Sequence, residues 1–291
     1  SFMTSIITCS DGFIAKKLIE KLSLSKVDLL TLTRKDGDLS ITPLHDLIKE
    51  KAKIDQLFHL AARTFVPHAW EEPEEFINEN ISCTLNILNY CRLKEIPLIY
   101  ISAYIYGEQL ELPIKENAVI KPSNPYAQSK YLCEQICKYY VEVFSLDITI
   151  LRPFNVYGLG QNKNFLIPEI IEQIKNNEKV VVNSFNPRRD YIHVEDLVEA
   201  VIASTKIMNG LQVYNIGSGY SVSVKDIIKL IEEIIRKSLQ SEERNIVRNN
   251  ELMNVVADIS KASASLNWKP KLTLREGLTQ ILFQEGLCTE D

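Results

Sequence analysis

The chain has 291 residues, 45% of them apolar and 24% charged, with a net charge of −5 and a pI near 5.6. That length and balance suit one large α/β domain, or such a domain with a smaller lobe. The acidic charge argues against a nucleic-acid surface, and no apolar run approaches the roughly 20 residues that cross a bilayer, so neither nucleic acid nor membrane is expected as a partner.

The N-terminus enters Met3-Thr4-Ser5-Ile6-Ile7-Thr8, a strand-like run unlike a secretory signal. Residues 5–9 read as a strand, 12–22 as a helix and 29–33 as a second strand. A helix over 44–51, a strand over 56–61, a long helix within 73–93 and a strand over 98–102 follow. The helix 125–144 and strands 148–152 and 212–216 continue the alternation. Such βαβ succession predicts an α/β fold, a doubly wound parallel sheet with helices on both faces, and ligands at the carboxyl ends of its strands. The last third changes character. Helices over 165–175 and 224–238, a short strand at 180–182 and a polar stretch at 238–250 suggest a smaller α+β lobe. The division expected is 1–157 with 191–217 for the sheet domain, and 158–190 with 218–291 for the lobe.

Six cysteines include no Cys-x-x-Cys pair. Cys133 and Cys137 share a helix face, but no cluster of His or Cys completes a metal site, so no metal is expected. Reduced, buried thiols fit a cytoplasmic protein.

Strand one runs into Thr8-Cys9-Ser10-Asp11-Gly12-Phe13-Ile14-Ala15. The frame is that of G-x-x-G-x-x-G, but only the middle glycine, Gly12, remains. Gly12 permits backbone approach to a pyrophosphate at the helix N-terminus, whereas Cys9 puts a Cβ at a tight turn. Strand two ends in Thr33-Arg34-Lys35, a hydroxyl and two cations with no carboxylate. That suits a 2′-phosphate, and the reading leans to NADP over NAD. Asp38 and Leu39 are placed to flank the adenine.

Tyr126 and Lys130 stand four residues apart, one above the other on a helix face. An ammonium beside a phenol favours the phenolate, which lets the phenol exchange a proton near neutral pH. A hydroxyl at a neighbouring strand end, Ser102, would hold the substrate oxygen. This is machinery for oxidising an alcohol or reducing a ketone.

Taken together, Asp11-Gly12-Phe13-Ile14, His59-Leu60-Ala61-Ala62, Ser102 through Tyr106-Gly107, Asn124-Pro125-Tyr126 to Lys130, Leu151 through Gly158, Arg189 through Val194 and Tyr214-Asn215-Ile216-Gly217 resemble the extended short-chain dehydrogenase/reductase family. The likeness is to its nucleotide-sugar epimerases, dehydratases and reductases, and it spans nearly the whole chain in order. It implies a Rossmann sheet with a nucleotide-sugar lobe. Tyr126 becomes the general acid/base, Lys130 the residue that lowers its pKa and holds the nicotinamide ribose, and Ser102 the hydroxyl on the reacting sugar oxygen. Leu60, Ala61 and Ala62 would border the cofactor, and Pro153 would lie near the nicotinamide amide. Asn155 would contact the sugar nucleotide, Arg189 and Arg248 would clamp its diphosphate, and Glu251 would take its ribose hydroxyls.

Two departures narrow the activity. The family's 4,6-dehydratases carry Asp-Glu where this chain has Ala103-Tyr104, so no acid is present to eliminate water. Phe165 stands where many 4-epimerases have an Asn. The expected substrate is a nucleoside-diphosphate sugar, UDP- or dTDP-linked. The expected activity is epimerisation at C4 through a 4-keto intermediate, with NADPH-dependent reduction of a 4-keto-6-deoxyhexose as the alternative. A non-catalytic nucleotide binder is a third reading, against which the complete Ser102, Tyr126 and Lys130 set speaks. Family likeness also implies a homodimer through the helix of Tyr131, Leu132, Ile136 and Tyr139 and the helix of Ile81, Leu85 and Leu88. Polysaccharide precursor synthesis is the setting this likeness suggests.

Overall fold

The computed structural model describes residues 3–49, 53–60, 66–246, 248 and 250–290. Its first half comprises β1 (Met3–Ile7), α1 (Phe13–Leu22), β2 (Val27–Thr31), α2 (Leu44–Leu47), β3 (Gln56–His59), α3 (Val66–Glu71), α4 (Pro73–Lys94), β4 (Leu98–Ile101), α5 (Pro125–Phe144) and β5 (Ile148–Pro153). The second half adds β6 (Asn155–Tyr157), α6 (Leu166–Lys175), β7 (Val180–Val182), β8 (Arg188–Arg189), β9 (Tyr191–His193), α7 (Val194–Ser204), β10 (Leu211–Ile216), β11 (Val222–Ser223), α8 (Val224–Ile235), β12 (Ser241–Glu243), α9 (Ser260–Leu266) and α10 (Leu274–Gln284).

Six parallel strands form the main sheet in the order β2-β1-β3-β4-β5-β10. Strands β3, β4 and β5 are buried at every position, as expected where helices cover both faces. Alternation then sends neighbouring residues to opposite cores. Ile7, Phe58, Ile99 and Leu151 pack against α1 and α7, while Ile6, Leu57, Leu98 and Ile150 pack against α4 and α5.

A separate cluster lies beneath the smaller elements, where Ile167, Ile170 and Ile174 of α6 meet Ile227 and Ile231 of α8 and Leu278 of α10. By contrast, Ala262, Leu266 and Trp268 pack into the main-sheet cluster. The stretch around α9 therefore sides with the sheet, although the sequence reading had placed it in the lobe.

Helix α5 follows the sequence expectation to the residue. The Asn124 side chain caps it by accepting from the Ala127 N–H, Pro125 opens its first turn, and Ser145 ends it in the left-handed region. Elsewhere the boundaries move. β2 lies two residues earlier than the expected 29–33, and α2 stops at Leu47 because Ile48 is extended. α7 escaped the sequence reading; its Val194, Leu197, Val198, Ala200 and Val201 are all buried. No described helix is long and apolar enough to cross a membrane.

Two features of the packing have measurable consequences for stability. A Cβ built on Gly277 of α10 stands 2.7 Å from Cζ of Tyr157, whose ring is 1% exposed. Gly277→Ala gains about 1 kcal/mol of helix propensity, yet the overpacked ring should leave it about 1–3 kcal/mol less stable overall. Urea denaturation reads this directly, and a variant as stable as the parent would contradict the packing described.

The second feature is His59 at the end of β3, 4% exposed and 2.8 Å from the Thr8 hydroxyl through Nδ1. Burial, and then the Lys130 charge, pull its pKa from 6.5 down to about 3. The unfolded chain binds a proton that the folded chain refuses between those values, so stability declines as pH falls through that window. The decline from this group approaches about 1.4 kcal/mol per pH unit. His59→Gln should flatten the acid limb by that amount in a pH series of denaturation curves. Identical slopes for parent and variant would refute the assignment.

Candidate active site

Beyond the carboxyl ends of β1, β3, β4 and β5 opens a cleft of about 900 Å³. It lies where the strand order reverses, with β2 on one side of β1 and β3 on the other. Crossover helices diverge at such a point and leave a crevice.

The β1–α1 turn forms one wall. Cys9 adopts φ +53°, the left-handed region that a side chain disfavours. Gly12 has an ordinary φ of −72° and caps α1, its N–H donating to the Cys9 carbonyl at 3.0 Å. The backbone freedom that glycine supplies is therefore demanded at Cys9, the position the sequence left without one. Ala15 is 1% exposed and packs α1 close to the sheet. No side chain caps α1, and Gly12, Phe13, Ile14 and Ala15 border the cleft. The first N–H groups of the helix thus form an anion-binding end, which fits a pyrophosphate. Burial holds the Cys9 thiol up at about 11, so it is not a thiolate nucleophile.

Ser102 just after β4, Tyr126 on α5, Pro153 at the end of β5 and Asn155 at the start of β6 reach the same cleft, with Leu60 just after β3. The Tyr126 ring meets Phe76 of α4 edge-on at 6.5 Å. Ser102 Oγ donates to Glu134 Oε2 at 2.6 Å. Glu134 in turn receives Arg152 through Nε at 3.1 Å and Nη2 at 2.7 Å. Nη1 of Arg152 donates to the Tyr106 hydroxyl at 2.8 Å and to the Glu116 carbonyl at 3.0 Å. Ser102 gives its proton away within this network, so its lone pairs remain to accept from a substrate hydroxyl.

Lys130 departs from expectation. It is 2% exposed, outside the cleft lining, with Nζ 2.9 Å from the Ile101 carbonyl and 4.4 Å from the Tyr100 ring centre. Burial lowers its pKa. The Tyr126 phenol is not lowered by the ammonium as the i, i+4 spacing suggested. Burial first, then the Cys133 thiol, push it well above its ordinary value.

Arg189, Arg248 and Glu251 also line the cleft. Arg189 is braced by the carbonyls of Arg188 and Leu252 at 2.9 and 2.5 Å, and its Nη2 lies 3.5 Å from Glu251. Arg188 turns away to Ser221 and Asp226. A smaller pocket of about 170 Å³ adjoins the turn and gathers Asp11, Thr33, Arg34, Asp38 and Leu39, with Cys9 shared. Lys35 is not in its lining, and its N–H is spent on the Thr33 hydroxyl. Ala61 and Ala62 lie outside the described residues.

Trp70 escaped the sequence reading; with Tyr104 and Phe165, noted there only as departures from the family pattern, it supplies an aromatic lining. Glu134 carried a readable signal, since it stands on the face of Tyr126 and Lys130 at i+8 and i+4.

The profile of the NAD-dependent epimerase/dehydratase family matches residues 6–217. A putative UDP-glucose 4-epimerase of Methanocaldococcus jannaschii is 28% identical over 95% of this chain and 96% of its own. A GDP-6-deoxy-D-talose 4-dehydrogenase of Aggregatibacter actinomycetemcomitans is 32% identical over 98% of each. Among solved structures, MoeE5 in complex with UDP-glucose and NAD superposes with a TM-score of 0.89 at 26% identity, over 97% of this chain and 99% of its own. RMD from Pseudomonas aeruginosa complexed with NADPH gives 0.87 at 28% identity, over 97% and 98%. A family match across most of the chain, a relative above 30% identity over its full length and the same six-stranded parallel sheet agree: the chain belongs to the NAD-dependent epimerase/dehydratase family of nucleotide-sugar enzymes.

Proposed function

We propose that the chain epimerises a nucleoside-diphosphate hexose at C4 through a 4-keto intermediate. The observation that carries this reading is one continuous cleft. An anion-binding helix end, two arginines, a phenol and a serine hydroxyl all line it. The α1 N-terminus, Leu60 and Pro153 would hold the dinucleotide, with Asp11, Thr33, Arg34, Asp38 and Leu39 around its adenosine. The dinucleotide supplies the hydride exchange at C4 when bound.

Tyr126 takes the O4 proton as C4 is oxidised and returns it as the ketone is reduced. Its raised pKa keeps the phenol protonated while the cleft is empty, so the basic form that the oxidation needs has to arise with the cleft occupied. Ser102 accepts from the sugar hydroxyl and so orients O4. Lys130 stands behind Tyr126 and reaches the nicotinamide ribose only if it leaves the Ile101 carbonyl. Arg189 and Arg248 clamp the diphosphate, Glu251 takes ribose hydroxyls and Asn155 contacts the sugar. Ala103-Tyr104 offer no carboxylate, which disfavours dehydration. Reduction of a 4-keto-6-deoxyhexose is the second reading, supported by reductases among the full-length relatives. Self-association through α4 and α5 belongs to the same proposal. Tyr139 and Val143 are exposed there, whereas Leu88 is spent in the core.

Incubation with UDP-, dTDP- and GDP-hexoses without added dinucleotide tests the first reading. C4 epimers are the expected product, and a requirement for stoichiometric reduced cofactor would favour the second. Tyr126→Phe should lose about 10²–10⁴ of the rate and keep its dinucleotide affinity. Turnover near the parent rate would remove Tyr126 from the mechanism.

Arg189→Ala should weaken binding of UDP, dTDP or GDP by about tenfold or more by calorimetry, because a charge-assisted hydrogen bond contributes about 1.5–3 kcal/mol. NADH affinity should stay unchanged. Equal loss for both classes of nucleotide would mean that Arg189 only braces the fold.

A further inference from the structure

Ser102 meets the cleft with its proton already committed elsewhere. Its N–H donates to the Leu151 carbonyl at 2.8 Å, which fixes the residue just past β4. Its Oγ stands 2.6 Å from Glu134 Oε2, and both residues are buried, at 3% and 5% exposed. Arg152 faces both oxygens of Glu134, with Nε 3.1 Å from each and Nη2 2.7 Å from Oε1. A guanidinium so placed keeps Glu134 a carboxylate, and a carboxylate only accepts. Ser102 is therefore the donor. A buried bond to an ionised acceptor is of the stronger kind, so the hydroxyl proton stays with Glu134 and does not turn toward the cleft.

The consequence concerns the two oxidation states of C4. A secondary alcohol has a proton to donate, and Ser102 has lone pairs to receive it. A ketone oxygen has lone pairs only, and the serine has no proton left to give it. Ser102 thus holds the sugar as an alcohol and releases it as a ketone. An epimerase needs that release, because the 4-keto sugar has to turn its other face to the dinucleotide before hydride returns.

We propose that Glu134 is a positioning residue for the chemistry at C4: by taking the Ser102 proton it makes Ser102 an acceptor, which recognises the C4 hydroxyl and not the C4 ketone. The inference rests on the nucleotide-sugar site of the proposed function and adds to it a residue outside the cleft lining.

Calorimetry with UDP-, dTDP- and GDP-linked 6-deoxyhexoses, each as the 4-alcohol and as the 4-ketone, tests it. The alcohol is titrated into protein carrying reduced dinucleotide and the ketone into protein carrying oxidised dinucleotide, so that neither reacts. Ser102→Ala leaves the Glu134–Arg152 pair in place. It should weaken the alcohol by about three- to tenfold, as expected for one neutral hydrogen bond, and leave the ketone within about twofold. Glu134→Gln is nearly isosteric: its Oε1 can keep Arg152 while its Nε2 donates to Ser102, which frees the serine proton for the ketone. That variant should bind the ketone about three- to tenfold more tightly than the parent, and the double variant E134Q/S102A should lose the gain. A merely structural role for Glu134 would move alcohol and ketone alike. Equal loss of both ligands in Ser102→Ala, loss of neither, or an unchanged ketone affinity in Glu134→Gln overturns the proposal and leaves the functional reading standing. If Glu134→Gln does not fold, the Ser102→Ala comparison decides alone. Failure of the parent to bind any of these sugar nucleotides overturns the two together.

Discussion

The ion pair of Glu134 with Arg152 is the interaction on which the arrangement of the site depends. The two side chains are 5% and 7% exposed. A pair so buried stabilises only where every remaining donor finds a partner, because taking both charges out of water costs several kcal/mol per ion. Here the partners are present. Nε and Nη2 of Arg152 meet the carboxylate, and Nη1 meets the Tyr106 hydroxyl and the Glu116 carbonyl. Tyr106 passes its own proton to Asn215, whose N–H donates to the Glu116 carboxylate. One network thereby seats α5 on β5, ties the loop after β4 to β10, and sets the direction of the Ser102 hydroxyl.

The electrostatics of Tyr126 and Lys130 follow from that seating. With α5 pressed onto the sheet, both side chains lose water, and desolvation acts against the charged form of each. Burial thus raises the pKa of the phenol and lowers that of the ammonium. The Ile101 carbonyl and the Tyr100 ring give the ammonium partners within the wall. An apolar site of this kind strengthens any charge interaction that a ligand brings in. In the proposed mechanism, proton exchange at Tyr126 would therefore depend on occupancy of the cleft.

In the proposed reading the cleft divides recognition between backbone and side chains. The dinucleotide would meet backbone, namely the left-handed turn at Cys9 and the uncapped start of α1. Thiol chemistry is not engaged there, since burial keeps Cys9 protonated. The sugar nucleotide would meet side chains, with Arg189 fixed by carbonyls on two segments that are distant in sequence. Backbone recognition tolerates the loss of the flanking glycines, because N–H groups at a helix start depend on the helix and not on residue type.

The parallel sheet, the helices on its two faces and the trio Ser102, Tyr126 and Arg189 were legible in the sequence, because each rests on local information. Apolar runs of strand length, the Asn124-Pro125 start of α5 and motif spacing survive without knowledge of distant partners. Arg34 shows what was not legible. Its neighbours in sequence read as a phosphate site, and only the fold brings Glu79 across 45 residues to occupy it. Lys130 shows the same limit, for helical spacing placed it beside Tyr126 while packing turned its amine to the Ile101 carbonyl. The sequence by itself determined which chemical groups stand at the strand ends. Charge pairing and desolvation depend on distances between residues far apart in the chain, so the protonation and availability of those groups were decided only when the tertiary structure formed.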